Sequence, residues 1–181
     1  MVEDRQRFEG IYADHYEPVL RYCLRRSNRE DALDAAAETF TIAWRRYQAI
    51  PDGRELPWLY GIARNVLRHQ RRSAGRESGA LARLRSDIDP VAGSVEDLAV
   101  EHAEIDDVLS ALVRLNEGDR EIIQLAAWED LDRTEIATAL GCSPNAASKR
   151  LRRALDHLAH RLDATATPRG RLLFARRRVS G

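Results

Sequence analysis

The chain has 181 residues with 29 basic and 29 acidic side chains, and 44% of its residues are hydrophobic. This hydrophobic content suits a packed core and excludes a disordered polymer. The charged N-terminal residues MVEDRQRFEG and the lack of an apolar run of about 18 residues exclude a targeting segment and a membrane span. We therefore expect a soluble, cytoplasmic globular protein.

The two cysteines, Cys23 and Cys142, are far apart in the sequence, and the five histidines do not lie at metal-ligand spacing from them. We interpret both cysteines as reduced, structural thiols of a protein in a reducing compartment. The sequence therefore predicts neither a metal site nor a cofactor.

The first part of the chain predicts three helices. Apolar residues recur with the helical period and nowhere alternate over a useful length, which predicts an all-α protein. The segment IPDGRELP separates the second helix from a third that runs from about Trp58 to Arg72. The residues predicted to face the core are Phe8, Tyr12, Tyr16, Val19 and Leu20 in the first helix, Leu33, Ala36, Phe40, Ala43, Trp44 and Tyr47 in the second, and Leu59, Ile62, Ala63, Val66 and Leu67 in the third.

Between Ser73 and Val95 the composition shifts to Ser, Gly, Ala and Asp, which is typical of a linker. Helical periodicity then resumes at Leu98. Beyond Ala164 the chain is rich in arginine but has too few apolar residues for a core, so we expect a flexible basic tail. The tryptophans predicted as core anchors are Trp44, Trp58 and Trp128.

Charge is unevenly distributed along the chain although the net charge is zero. Residues 64–76 contain five arginines and no acid, residues 86–113 contain eight acids and neither Lys nor Arg, and a second basic cluster begins at Lys149. Local charge governs binding to a polyanion more than the sum does. The two basic clusters are therefore candidate nucleic-acid surfaces.

The segment DLDRTEIATALGCSPNAASKRLRRALDHL predicts a helix-turn-helix. Asp132 and Glu135 can form a capping box, and Gly141 lies where a helix ends in a left-handed residue. Ser143 can cap the next helix, whose first turn accommodates Pro144. Two helices joined by so short a Gly-containing turn are typical of this motif.

The second helix of such a motif enters the major groove by its N-terminal part. The pattern predicts that Ala147, Leu151 and Leu155 pack inside. The side chains predicted to face DNA are Asn145, Ser148, Lys149 and Arg152 toward the bases, and Arg150 and Arg153 toward the phosphates. The alternative is a solvated cationic helix in an ordinary bundle, but the caps, the turn and the apolar spacing all favour the DNA-binding motif.

The third helix carries a second candidate surface. Tyr60, Arg64, Arg68 and Arg71 recur at helical spacing on the side away from Leu59, with two further polar residues beside them, Asn65 and His69. An aromatic residue among arginines suits DNA that is being unstacked, because bases stack on rings and phosphates attract cations. Taken alone, this stripe is equally well interpreted as a solvated face.

Three segments together resemble a bacterial RNA polymerase sigma factor of the small extracytoplasmic-function type. REDALDAAAETFTIAWRRY resembles the region 2.2 helix, PWLYGIARNVLRHQRRS resembles regions 2.3 and 2.4, and ALVRLNEGDREIIQLAAWEDLDRTEIATALGCSPNAASKRLRRAL resembles region 4. The resemblance covers about Phe8 to Leu162. It implies two small helical domains: region 2 over 1–73, a linker over 74–97, region 4 over 98–163 and a tail over 164–181.

The resemblance implies a promoter-specificity subunit that leaves the chemistry to polymerase. Region 2 would bind the clamp helices of the largest polymerase subunit and capture the non-template strand of the −10 element. Region 4 would read the −35 duplex and touch the flap of the second large subunit. The residues implied for polymerase binding are Asp31, Asp34, Glu38, Thr39 and Phe40, and those implied for the −10 element and for melting are Asp52, Gly53, Arg54, Tyr60, Arg64, Asn65, Arg68, His69, Arg71 and Arg72. An anti-sigma factor is a common partner in the family, and we expect a monomer when the factor is free.

The chain departs from the family pattern in two places. Ala35, Ala36 and Ala37 stand where members often have a longer apolar residue and a glutamine, and Ala146 and Ala147 replace the usual threonine and valine of the recognition helix. Two rival functions are a stand-alone helix-turn-helix regulator, which would bind DNA without polymerase, and a helical enzyme. The enzyme is disfavoured because no acid pair, metal cluster or Gly-rich phosphate loop occurs at recognisable spacing.

Overall fold

The computed structural model describes the backbone of residues 2–77 and 107–165 and the side chains of residues 4–73 and 107–162. Within these ranges the chain forms helices and no strand, which confirms the predicted all-α class. The helices are α1 (Val2–Leu24), α2 (Arg29–Arg45), α3 (Glu55–Glu77), α4 (107–113), α5 (Glu117–Ala127), α6 (Arg133–Leu140) and α7 (Pro144–Thr165), with a 3-10 turn at Tyr47–Ala49. The predicted tail beyond residue 165 and the predicted linker from residue 78 lie outside the described residues.

The described helices belong to two compact units. The first contains α1, α2 and α3 together with Thr134–Ser143 of α6 and its turn, and the second contains residues 107–133 and α7. The backbones of α3 and α6 approach closely at Gly61, which is why α6 belongs to the first unit. A Cβ atom on Gly61 would lie only 2.8 Å from the carbonyl oxygen of Ala139. The boundaries predicted at residues 73 and 98 remain predictions.

The core of the first unit forms where α1, α2 and α3 pack against one another. Val19 and Tyr22 of α1 and Leu59 of α3 are fully buried. The Tyr22 ring stacks on Tyr60 with 4.8 Å between ring centroids. α2 contributes mainly small side chains to this core, and those that are wholly buried are Ala32, Ala35, Ala36, Thr39 and Ala43.

Part of the predicted core face was wrong. Leu33 is 40% exposed, Trp44 45% and Tyr12 44%, although all three were expected inside. The buried stripe of α2 passes through its alanines and Thr39, so Leu33 and Trp44 lie at its edge. Trp44 nevertheless contacts Phe8 edge-on with 5.0 Å between ring centroids, and the two other tryptophans are half-buried.

Local chemistry sets the ends of α2 and α3. The side chain of Asn28 caps α2 by accepting a hydrogen bond from the backbone nitrogen of Asp31 at 2.9 Å. α3 continues to Glu77 rather than ending near Arg72, so its last turn includes the start of the predicted linker. A glycine inside a helix costs only about 1 kcal/mol relative to alanine, and Gly75 therefore does not end α3.

The second unit is held together by α5 against α7. Ile122 and Leu125 of α5 are each 1% exposed, and α7 buries Ala147, Ala154 and Leu158. The prediction that Leu155 packs inside was wrong, because it is 41% exposed. Ala147, Ala154 and Leu158 are separated by seven and then four residues, which keeps them on one face of the helix. The predicted set, Ala147, Leu151 and Leu155, is separated by two steps of four, which rotate away from that face.

Candidate nucleic-acid interface

The start of α7 has the geometry of a DNA-recognition helix. Pro144 is its first residue, and Gly141 of the preceding turn has the left-handed φ of 61°. Of the predicted contact residues, Asn145, Lys149, Arg152 and Arg153 are exposed, and Ser148 and Arg150 are half-buried. No acid occurs between Pro144 and Leu155, so cations and the positive end of the helix dipole act together on an approaching phosphate.

The cationic side of α3 is present but narrower than predicted. Asn65, His69 and Arg72 are exposed, and Arg64 and Arg68 are half-buried. Arg71 is exposed, but its Nη2 donates to the carbonyl oxygen of Arg26 at 2.7 Å. This bond satisfies a carbonyl just after the end of α1, so Arg71 has a structural role in the folded unit.

Tyr60 is the clear exception among the residues proposed for DNA melting. Its side chain is only 4% exposed, and it stacks on Tyr22 inside the core. Tyr60 shares a helix face with Ala63 and Leu67, at spacings of three and four residues, and both of these are buried. Tyr60 therefore lies in the core and not on the outer side of α3 where the sequence pattern placed it.

The connection between α2 and α3 forms a shallow cavity of about 470 Å³ lined by Arg45, Arg46, Tyr47, Gln48 and Ala49. The Arg46 guanidinium lies 5.8 Å from the centroid of the Trp58 ring. Two arginines, a phenol ring and an amide can together contact a phosphate and an exposed base.

The loop that follows is held by its own hydrogen bonds. Gly53 has a φ of 71°, a conformation that side chains disfavour. Its backbone nitrogen donates to Glu55 Oε1 at 3.0 Å. Asp52 and Arg54 on either side are exposed, so the three predicted loop residues Asp52, Gly53 and Arg54 are available to a ligand.

Arg7 also contacts this loop, which the sequence analysis missed. Its Nη2 donates to Asp52 Oδ1 at 2.6 Å and to the carbonyl oxygen of Ile50 at 3.4 Å. The contact joins α1 to a loop more than forty residues away, so no spacing rule could have revealed it. Arg7 neutralises the acid that would otherwise repel a nucleic-acid strand at the loop.

The outer face of α2 is acidic. Asp31, Asp34 and Glu38 are exposed, as predicted for a surface that binds another protein. The two other residues proposed there are buried: Thr39 is wholly buried and Phe40 is 4% exposed. Thr39 Oγ1 donates to the carbonyl oxygen of Ala35 at 2.6 Å, so its hydroxyl is used within the helix.

Two of the three alanines by which α2 departs from the family pattern lie in the core. Ala35 and Ala36 are wholly buried, and only Ala37 is exposed at the surface. The departure from the family pattern therefore changes one surface position between Asp34 and Glu38 rather than three.

Neither a cluster of metal ligands nor a membrane-spanning helix occurs among the described residues. Among residues 4–73 and 107–162, whose side chains the structure describes, no three His, Cys, Asp or Glu are grouped so as to hold a metal ion. In the same ranges no helix is long and apolar enough to span a bilayer. Neither Cys23 nor Cys142, both among the described residues, is in a disulfide bond.

A helix-turn-helix together with a second cationic helix is typical of a DNA-binding protein. Residues 11–77 match the family described as Sigma-70 region 2, and residues 105–158 match the one described as Sigma-70, region 4. The RNA polymerase sigma factor CnrH of Cupriavidus metallidurans is 30% identical over 142 residues, which cover 74% of each chain. The ECF RNA polymerase sigma factor SigL of Mycobacterium tuberculosis is 28% identical over 154 residues, which cover 82% of this chain and 85% of the relative.

Solved structures agree with this assignment. The sigma factor RpoE of Bartonella quintana, in complex with the anti-sigma factor NepR, has the same fold with a TM-score of 0.60 at 23% identity, over 90% of this chain and 98% of that one. CnrH in complex with the cytosolic domain of CnrY has a TM-score of 0.56 at 25% identity, over 90% and 91%. The chain therefore belongs to the sigma-70 family of RNA polymerase sigma factors, in the ECF subfamily. It directs core polymerase to promoters, and a stand-alone regulator is not favoured.

Proposed function

We propose that three surfaces of this sigma factor divide promoter recognition among them. The acidic face of α2, formed by Asp31, Asp34 and Glu38, binds the clamp helices of the largest polymerase subunit. The cationic side of α3 and the loop from Tyr47 to Arg54 hold the non-template strand of the −10 element. The N-terminal half of α7 reads the −35 element as a duplex.

The observation that carries this division is the change in the sign of charge from one element to the next. Between Glu30 and Trp44 every charged residue of α2 is an acid, whereas every charged residue in positions 144–155 of α7 is a cation. Complementary potentials select the partner of each surface. A basic protein surface suits α2, and a polyanion suits α3 and α7.

The cavity beside the 3-10 turn supports a role in melting. Binding an unstacked base there stabilises separated strands, because the cost of unpairing is offset only once the base has left the duplex. Arg45 and Arg46 would contact the backbone phosphates, and Tyr47 offers a ring for stacking. Tyr60 has no part in this step because it lies in the core.

The chain contributes recognition rather than catalysis, since the polymerase supplies the chemistry. We place it in the cytoplasm, where the core polymerase acts. The flap of the second large subunit is proposed as the further contact of region 4. Because the RpoE relative is bound to the anti-sigma factor NepR, we infer that this chain also has an anti-sigma partner.

Charge reversal on α2 tests the assignment of surfaces. Asp34→Lys and Glu38→Lys should each raise the Kd for core polymerase about tenfold and leave the unfolding midpoint unchanged, because both side chains are exposed. The control is Asp14→Lys, which changes an exposed acid on α1. Equal loss of core binding in the control, or no loss in the α2 variants, would contradict the proposal.

A further inference from the structure

A polar contact joins the recognition helix to its neighbour α5. His157 Nδ1 of α7 lies 2.6 Å from Asp119 Oδ2 in the first turn of α5. The Asp119 side chain is only 17% exposed, while that of His157 is 51% exposed. Solvent screens a partly buried carboxylate less than an exposed one.

Asp119 is itself held in place by the cap of α5. Asn116 is the N-cap, and its Oδ1 accepts a hydrogen bond from the Asp119 nitrogen at 2.9 Å. Its Nδ2 donates in return to Asp119 Oδ2 at 2.6 Å. The carboxylate oxygen that meets His157 is therefore fixed from two sides, in the manner of a capping box. We call Asn116, Asp119 and His157 the α5–α7 clamp.

The deeply buried side chains of α7 are mostly small, so a polar contact can contribute to its orientation. Its deeply buried side chains are Ala147, Ala154 and Leu158, and two of these three carry a single methyl group. Helices are oriented by ridges that fit into grooves, and alanines form low ridges. Burial therefore holds α7 against α5, and a directional hydrogen bond adds a constraint on its rotation and its position along the axis.

Leverage along the helix makes the orientation important for DNA. Asn145 and His157 are separated by about 18 Å at a rise of 1.5 Å per residue. A tilt of about 10° at the clamp would move the N-terminal contact residues by about 3 Å at that distance. Hydrogen bonds to base edges do not tolerate such a shift, whereas contacts with phosphates depend mainly on charge.

We propose that the α5–α7 clamp orients the recognition helix, with His157 as a positioning residue for readout of the −35 element. His157 acts through the placement of Asn145, Lys149 and Arg152 and has no contact with bases of its own. The inference rests on the proposed −35 role of α7. His157 donates through Nδ1, either as the neutral tautomer with the proton there or as the imidazolium.

The test compares holoenzymes assembled from core polymerase and variants of the chain by the ratio of their affinities for two duplexes. One duplex is a promoter fragment selected with the wild-type holoenzyme, and the other differs from it only by a scrambled −35 element. His157→Leu should lower the ratio about tenfold, a loss comparable to that of one base-pair contact, while affinity for the scrambled duplex stays within about twofold. His157→Asn, whose amide can replace the Nδ1 donor, should recover the wild-type ratio to within about threefold.

The matched control is His160→Leu, which changes an exposed histidine on the same helix and should leave the ratio unchanged. If His157→Leu does not fold, His157→Gln supplies the same comparison with a polar side chain whose amide falls near the place of Nε2. A wild-type ratio of one would overturn the proposed role of α7. A discriminating wild type with an equally discriminating, folded His157→Leu or His157→Gln would overturn the clamp alone.

Discussion

Asn145 is the residue best suited to read a base directly. It is exposed at the second position of α7, and its amide both donates and accepts, as the major-groove edge of adenine requires. Lys149 and Arg152 follow at helical spacing and are also exposed. We therefore expect base recognition by this sigma factor to depend on a few side chains at one end of α7.

Asn145→Ala should weaken binding to a selected −35 duplex by about tenfold or more, because a good bidentate contact contributes about 1–3 kcal/mol. Fluorescence anisotropy with the labelled duplex measures the effect. Arg150→Ala, a change at a predicted phosphate contact, should weaken the selected and scrambled duplexes equally. Equal loss on both duplexes with Asn145→Ala would show that Asn145 does not read the sequence.

We expect Arg7 to contribute to the proposed −10 surface even though it lies in α1. Arg7→Ala removes both the contact with Asp52 and a positive charge from the loop. Exposed ion pairs of this kind contribute up to about 1 kcal/mol of interaction free energy. We expect two- to fivefold weaker binding of the holoenzyme to a single-stranded −10 oligonucleotide. The control is Arg5→Ala, since Arg5 pairs with Glu9 on the same helix. The role of Arg7 would be refuted if both variants bound the strand alike.

At the scale of helices, the ends were easier to predict than the faces. The left-handed Gly141 and the start of α7 at Pro144 follow from local backbone chemistry that any reader of the sequence can apply. The inner face of α2 does not, because a helix rich in alanine has little contrast between apolar and polar sides. Thr39 is buried and Leu33 is exposed, the reverse of what hydrophobicity suggests.

At the candidate site, charged surfaces could be predicted from the sequence but contacts between distant residues could not. The exposed cations of α7 and the acids of α2 could be identified because charge density is visible in the sequence. The Arg7–Asp52 and Asp119–His157 contacts join residues that are distant in the chain, so their partners are known only from the fold. Tyr60 has the spacing of both a surface and a core residue, and the packing partner Tyr22 decides between them.

The core position of Tyr60 has a measurable consequence for α3. Tyr60→Ala should lower the free energy of unfolding by about 3 kcal/mol or more, as truncation of a buried aromatic side chain does. Tyr60→Phe should leave promoter opening within about twofold of wild type, since it keeps the ring. Urea unfolding and permanganate reactivity of the melted strand measure the two effects. A fully stable Tyr60→Ala protein with defective opening would return Tyr60 to the DNA surface.

For the whole molecule, the net charge of zero and the division of acids and cations among different helices affect how the chain binds DNA. The free chain gains little non-specific affinity for DNA from its total charge. Two weak DNA-binding sites become effective when they engage together, since the second contact is then intramolecular. In the proposed division of surfaces, core polymerase binds the acidic face of α2 and is the scaffold that makes both contacts possible at once.

The most direct test of this account is transcription from a fragmented library of the source genome with purified core polymerase and the full-length chain, followed by sequencing of the 5′ ends. The account predicts transcripts that need both proteins and share two spaced upstream elements. At core polymerase concentrations below the wild-type Kd, Asp34→Lys should reduce their yield about tenfold without affecting binding of the free chain to duplex DNA. Retention of specific duplexes by the chain alone, with no polymerase-dependent start sites, would contradict it.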